Sequence, residues 1–247
     1  MNKVSDRKRL HEKYHKKTKK QFKTIESNNF TYRLLISELE KLVKKDIRIL
    51  DIGCGAGTLD FYIANKGPKI LGIDISDIAI NSCIETAKQL GIKNAEFKRI
   101  YFPRENVTGK FDLIIFTEVI EHLEDDVLAL QKINKLLNTN GKLILSTPSK
   151  NAPLNRLGLT KKFDLEVGHL RRYTEEELTR KLKKEGFKIL KVNKTEGIIR
   201  NFLFVNPIAG KFVRFIKFFV SDAVTIVDNF TLPLFGNSNY IIIAKKQ

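Results

Sequence analysis

Three glycines and two aspartates form the densest chemical signal in the chain. The run Ile49-Leu50-Asp51-Ile52-Gly53-Cys54-Gly55-Ala56-Gly57 ends an apolar stretch in a G-x-G-x-G turn. Glycine allows a tight turn and a close approach of backbone to ligand, and a helix N-terminus just beyond would present N–H groups. Twenty-one residues after Gly53, a second apolar run ends in Asp74 of Gly72-Ile73-Asp74-Ile75. A carboxylate at such a strand end can accept both hydroxyls of a ribose. The spacing is not the G-x-G-x-x-G of dinucleotide binders. A plain βα turn, with Asp74 serving only as a helix cap, is the competing reading.

Two other groups could do chemistry. Glu118, Glu121 and His122 stand at i, i+3 and i+4, a spacing that places all three on one face of a helix. Two carboxylates and an imidazole can hold a divalent metal, or Glu118 or His122 can act as a general base. Both acids also suit a helix N-terminus through the helix dipole alone, so a purely structural role stays open. His169 lies in Val167-Gly168-His169-Leu170-Arg171-Arg172-Tyr173. An imidazole there could deprotonate an acceptor hydroxyl, or simply anchor the loop.

The elements that must position these residues follow from hydrophobic periodicity. Apolar runs at 47–53, 69–75, 95–100, 111–117 and 141–147 are nearly continuous, as strands buried on both faces of a parallel sheet are. Between them, 77–90, with Ile78, Ile80, Ile84, Ala87 and Leu90, and 118–137 carry apolar residues at helical spacing. This alternation predicts βαβ units and a doubly wound α/β fold. Residues 148–173 have no clear period and are expected to form a long loop. Thr174 to Glu177 reads as a capping box opening a helix that stops at Gly186. Strands follow at 187–192 and 240–246.

At this point the chain resembles the class I S-adenosylmethionine-dependent methyltransferases. The likeness rests on the glycine turn, on Gly72-Ile73-Asp74, on Phe111-Asp112-Leu113-Ile114 and on Glu118-Val119-Ile120-Glu121-His122, and it covers roughly residues 31–195. Within that superfamily it is similar to the ubiquinone-biosynthesis-type O-methyltransferases. The resemblance implies a mostly parallel, Rossmann-like seven-stranded sheet whose last strand, 240–246, runs antiparallel. It implies S-adenosylmethionine across the strand ends, with Gly53 by the methionine part, Asp74 on the ribose, and Asp51, Gly55, Gly57 and Ile75 in the same site. Thr117 matches a position that contacts the cofactor, and Arg33 one that can pair with its carboxylate. The Glu-x-x-Glu-His run matches one associated with metal, and GH-x-R-x-[FY] loops like that at His169 occur in relatives. One departure concerns adenine. The acid usual after the third strand is replaced by Lys98-Arg99-Ile100-Tyr101, which leaves backbone groups near Ile100 and Tyr101 to serve.

Charge and composition bound the partners. The net charge is +17, and residues 1–23 hold ten Lys and Arg against two acids. Residues 1–30 are therefore expected to form a basic helical extension, with the catalytic domain over 31–247. Such a block could meet nucleic acid, meet an anionic membrane, or remain solvated. Two cysteines and no apolar leader predict a cytoplasmic chain. Residues 198–236 form a Phe-rich insert, with Phe212, Phe215, Phe218 and Phe219 interleaved with Lys211, Arg214 and Lys217. It reads as a helical cap over an apolar acceptor, as a segment lying on a membrane, or as core. The preferred acceptor is accordingly a small or lipid-like molecule, one that could be polyprenylated. The alternatives are RNA methylation, against which the Thr117-Glu118-Val119-Ile120 strand end argues, and S-adenosylmethionine binding without turnover.

Overall fold

The computed structural model describes residues 12, 23–206, 208–209 and 221–247. The basic block 1–23 lies outside the described residues except for Glu12 and Lys23, and so do Lys211, Phe212, Arg214, Phe215, Lys217, Phe218 and Phe219.

The chain runs α1 (Arg33–Leu42), β1 (Arg48–Ile52), α2 (Thr58–Ala64), β2 (Lys69–Asp74), α3 (Asp77–Gln89), β3 (Ala95–Arg99) and β4 (Phe111–Thr117). After a 3₁₀ turn at Ile120–His122 come α4 (Asp126–Leu136), β5 (Leu137–Pro148), α5 (Pro153–Arg156), α6 (Lys161–Val167), α7 (Glu175–Lys184) and β6 (Phe187–Thr195). The insert contributes α8 (Ile198–Val205) and α9 (Ser221–Phe235), and β7 (Asn239–Lys246) closes the sheet. Seven strands lie in the order β3-β2-β1-β4-β5-β7-β6. Only β7 is antiparallel to its neighbours, so the expected doubly wound, mostly parallel α/β sheet with an antiparallel last strand is the observed one.

The continuous apolar strands are explained by two cores. Leu50, Ile52, Ile114 and Phe116 point to one face, against Leu130 and Ile133 of α4 and Leu178 and Leu182 of α7. Ile49, Leu113 and Ile115 point to the other, against Ile36 and Leu39 of α1 and Ile63 of α2. Alternate residues thus feed opposite layers, which is why the strands read as nearly continuous apolar runs.

Three expectations are corrected. The helix expected at 118–137 is broken. Glu118 takes a left-handed φ of 54°, a 3₁₀ turn follows, and the α-helix starts only where Asp125 accepts a hydrogen bond from the Leu128 N–H. Ile120, Leu123 and Ala129 are buried all the same, so apolar spacing ran across a break it could not show. In α3, Ile84 is half exposed and the buried face is Ala79, Ile80, Cys83 and Ala87. The loop expected at 148–173 carries α5 and α6, and α6 buries no residue, so it has no apolar stripe to read. The capping box at Thr174 and Glu177 is present on both sides.

The insert is fastened by one buried carboxylate. Asp228 of α9 accepts from the N–H groups of Gly197, Ile199 and Arg200 at 2.7, 3.0 and 3.1 Å, and Thr231 takes that of Ile198 at 3.2 Å. These are the orphan donors that open α8. Arg200, wholly buried, stacks its guanidinium 4.3 Å from the Phe30 ring and donates to the Phe30 carbonyl at 2.8 Å. Asp228→Ala should therefore cost about 1–3 kcal/mol of stability in urea unfolding. Asp228→Asn should recover part of it, because an amide oxygen still accepts. A loss under about 0.5 kcal/mol in the alanine variant would show that α8 is held by packing alone.

Candidate active site

The carboxyl ends of β1, β2, β4 and β5 open into one cleft of about 840 Å³, covered by α6 and α8. This is where a doubly wound sheet leaves room for a ligand. The floor is the glycine turn. Gly53, Gly55 and Gly57 have φ of 78°, 52° and 70°. The N–H groups of Gly53 and Cys54 both reach the Ile73 carbonyl, at 2.7 and 3.0 Å, which pins the turn to β2. A Cβ on Gly53 would collide with the Val119 side chain. Gly53 and Gly55 line the cleft, whereas Gly57 faces Phe61 and Cys83 beneath it.

Asp74 ends β2 at the cleft wall. One carboxylate oxygen accepts from the Gly55 N–H at 3.0 Å and the other from the Ser76 N–H at 2.9 Å. Each keeps lone pairs for a further donor, so the carboxylate shapes the turn and can still accept from a group in the cleft. Asp51, Ile75 and Thr117 line the same space. Arg33 does not. Its guanidinium pairs with Asp222 and Thr225 of α9, on another face of α1, so the structure moves it away from the role expected of it. Ile100 and Tyr101 are at the wall, but the Ile100 N–H bonds the Asp74 carbonyl and the Tyr101 N–H bonds Glu105. Those two donors are already committed.

Glu118, Glu121 and His122 do not share a helix face, because the left-handed Glu118 sends its side chain a different way. Glu118 accepts from the Ser146 hydroxyl at 2.6 Å and from the Asn239 amide at 2.9 Å. Glu121 is fully buried, accepts from Thr147 at 3.0 Å, and leaves its Oε1 without a hydrogen-bond donor among the described residues. Burial first, and then the charge of Glu118, pushes its carboxyl well above the usual range. His122 places Nδ1 3.1 Å from the Gly168 carbonyl, and its ring meets that of His169 edge-on at 4.9 Å. The cluster that forms is Glu121, His122 and His169, with one ligand atom from each within 4.8 Å of the others. His169 takes the place expected for Glu118.

His169 is oriented by residues the sequence did not single out. Its Nδ1 lies 2.8 Å from Asp164 Oδ1, and Arg172 clamps the same carboxylate at 2.6 and 3.0 Å. Thr160 adds a hydroxyl at 3.1 Å. Burial would raise the Asp164 carboxyl, but the hydrogen bonds from His169 and Arg172 outweigh it and hold it well below the usual range. An ionised Asp164 fixes the proton of His169 on Nδ1 and leaves Nε2 as an acceptor beside the cleft. Arg171 and Tyr173 serve a different anchor, Asp126, at 3.2 and 2.7 Å.

Five acids line the cleft (Asp51, Asp74, Glu118, Glu166 and Glu196), while Arg172 is its one lysine or arginine among the described residues. In a chain of net charge +17, that is a local reversal suited to a cationic ligand. Asp74→Ala should weaken binding of a ribose-bearing ligand by about 1–3 kcal/mol in calorimetry. Gly53→Ala should lower both the melting temperature and affinity, and adding Val119→Ala should restore part of each. Unaltered affinity in Asp74→Ala would remove the ribose assignment.

Comparison with known proteins places this geometry. The profile of a methyltransferase domain matches residues 25–192. The ubiquinone biosynthesis O-methyltransferase of Acinetobacter baylyi is 30% identical over 108 residues, 42% of this chain and 44% of that protein. The chain thus matches less than half of that relative's length. Among solved structures, phosphoethanolamine N-methyltransferase 2 of Haemonchus contortus, in complex with S-adenosyl-L-methionine, superposes with a TM-score of 0.65 at 16% identity. That match covers 87% of this chain and 52% of the other. Magnesium protoporphyrin IX methyltransferase from Synechocystis, with bound SAH, gives 0.57 at 18% identity, over 100% and 89% of the two chains. Likeness at these identities is a likeness of fold.

Proposed function

The chain belongs to the methyltransferase-domain family, and from that premise we propose that it moves the methyl group of S-adenosylmethionine to an oxygen of a small-molecule or lipid-like acceptor. The residues present fit that cofactor. Gly53 and Gly55 leave a floor free of side chains, Asp74 faces the ribose position, and the buried Asp51 Oδ1 has no hydrogen-bond partner among the described residues. S-adenosylmethionine supplies an already activated methyl group when bound, so alignment of the acceptor contributes most of the acceleration.

The observation that carries the oxygen reading is the Asp164–His169 pair. In it, His169 Nε2 takes the proton of an acceptor hydroxyl, while Asp164, clamped by Arg172, holds the tautomer and steadies the resulting imidazolium. The acid-lined cleft supports a small acceptor over a polyphosphate one. The relative named for ubiquinone biosynthesis is consistent with an acceptor bearing an apolar tail. For such a tail, α8 supplies Phe204 and Val205 at the cleft. Phe230 and Leu234 of α9 and Leu157 after α5 stand out at 74%, 77% and 68% exposure, and Arg156, next to Leu157, donates to the Phe235 carbonyl at the end of α9. Those apolar side chains support a peripheral membrane contact. Among the described residues no helix is long and apolar enough to cross a membrane.

His169→Ala should lower kcat by about 10²- to 10⁴-fold while S-adenosylhomocysteine affinity stays within about twofold. Asp164→Asn should fall in the same direction, because an amide no longer dictates the tautomer. Turnover of His169→Ala near the wild-type rate would end the base assignment. The acceptor class is read from transfer of labelled methyl to lipid, small-molecule and RNA fractions of an extract. Label in lipid or small molecules is the expected result. Label in RNA would turn the reading to a nucleic-acid enzyme acting through residues 1–23, and no transfer at all would leave a binding protein.

A second reading has its own observation. Glu121, His122 and His169 converge closely enough to hold a divalent cation, and Glu121 Oε1 lacks a donor. Such an ion would occupy the His169 nitrogen that the base reading needs. Full activity after exhaustive chelation is expected. Loss on chelation with recovery on adding magnesium or zinc would favour the ion instead.

A further inference from the structure

Below the glycine turn lies a second acid that the proposed reaction does not use. Asp60, in the first turn of α2, is wholly buried. Among the described residues, no N–H or hydroxyl reaches either of its carboxyl oxygens, or the Oδ1 of Asp51. What Asp60 touches is Asp51 itself, carboxyl against carboxyl. Asp51 in turn lines the cleft, 3% exposed.

Two adjacent buried carboxylates cannot both stay ionised. Among the described residues, the titratable groups that face the pair add to the difficulty. Asp74 comes from β2, Cys83 from α3 and Cys54 from the turn, and none of them is a cation. Burial, then the charge of Asp60, then that of Asp74 push Asp51 well above the carboxylate range, and burial lifts Asp60 to about 7. An isolated apolar side chain would fill the site of Asp60 more cheaply. The geometry therefore asks what the second carboxyl is for.

We propose that Asp60 is a positioning residue for the cofactor: it shares one proton with Asp51, so that the pair presents one negative charge, placed on Asp51, to the ammonium at the amino-acid end of the ligand. The inference rests on the cofactor reading above. The pair holds two protons when neutral. It releases one to solvent as the ammonium arrives and keeps the other between the two carboxyls. Because both groups titrate above the usual range, the pair gains its charge as pH rises, and affinity for a cationic end rises with it.

The test is calorimetry on the full chain with two ligands, S-adenosylhomocysteine and 5′-methylthioadenosine. The second keeps the nucleoside and the thioether but lacks the amino-acid end. In the wild type, affinity for S-adenosylhomocysteine relative to methylthioadenosine should rise about fivefold between about pH 6 and about pH 8. Asp60→Asn keeps a donor to Asp51 with no proton to lose, so the rise should vanish while affinity at the higher pH stays within about twofold. Asp60→Ala should weaken S-adenosylhomocysteine about tenfold and leave methylthioadenosine unchanged. Parallel loss for both ligands would reduce Asp60 to a support of the fold and overturn the proposal, as would wild-type affinity in Asp60→Ala. Should the alanine variant not fold, an undiminished pH dependence in Asp60→Asn overturns it. The ammonium of the ligand titrates identically against wild type and Asp60→Asn, so it cancels in that comparison. A wild type that binds neither ligand would fell the cofactor reading itself. One that binds both, with Asp60 variants that keep wild-type affinity and pH dependence, fells this inference alone.

Discussion

The carboxylate of Asp74 joins two backbone turns that would otherwise be independent. One oxygen holds the Gly55 N–H at the end of β1 and the other holds the Ser76 N–H at the start of α3. Three left-handed glycines in five residues cost the unfolded chain much conformational freedom to fix. The bond to Asp74 and the paired bonds to the Ile73 carbonyl return part of that cost as charge-assisted and backbone hydrogen bonds. Ser76 in turn caps α3 through the Ala79 N–H, and Cys83 of α3 packs against Gly57. The floor of the cleft, its wall and the helix behind it therefore share one electrostatic knot, and any ligand that adds donors to Asp74 tightens all three.

How much of this was legible in the sequence depends on what each signal measures. Strands β1, β2 and β4 fall where the apolar runs put them, because both faces of each are largely buried and a single Asp within β1 or β4 does not break the apolar run. The break at Glu118 was not legible. A left-handed non-glycine residue leaves no mark on periodicity, and the buried Ile120 and Leu123 continue the helical spacing by chance of packing. The same break displaced the expected trio, since i, i+3, i+4 is a statement about a continuous helix. Arg33 was misplaced for a different reason. Its partner Asp222 lies 189 positions away in an insert that local pattern could not fold back.

Asp164 was invisible for a reason that also explains its strength. It sits on α6, a helix with no buried residue, among lysines and a glutamate that make it look like solvated surface. Its partners lie within eight residues, but only after α6 and the Gly168 turn reverse the chain. A signal was present: His169 and Arg172 three residues apart, in a loop too long to be idle. Reading it required a carboxylate on the preceding segment, and Asp164 and Glu166 were the two at hand.

The acids in and behind the cleft wall are of two kinds, which suit opposite tasks. Asp164 is surrounded by donors, so it stays charged and rigid and can orient an imidazole. Asp51 Oδ1, both oxygens of Asp60 and Glu121 Oε1 lack a donor among the described residues, and burial holds back the charge of all three carboxyls. A cleft built only from the first kind would bind cations tightly but would hold its field fixed whatever occupied it. One built only from the second would have no fixed orientation to offer. Asp74 combines the two, with each oxygen bonded to one backbone N–H while the residue still lines the cleft, a strut of the fold placed at the ligand-sized space. In the transfer proposed above, from a cationic sulfonium to a hydroxyl oxygen, this asymmetry matches the two ends of the reaction, because the methyl group would leave a stabilised charge for a developing one.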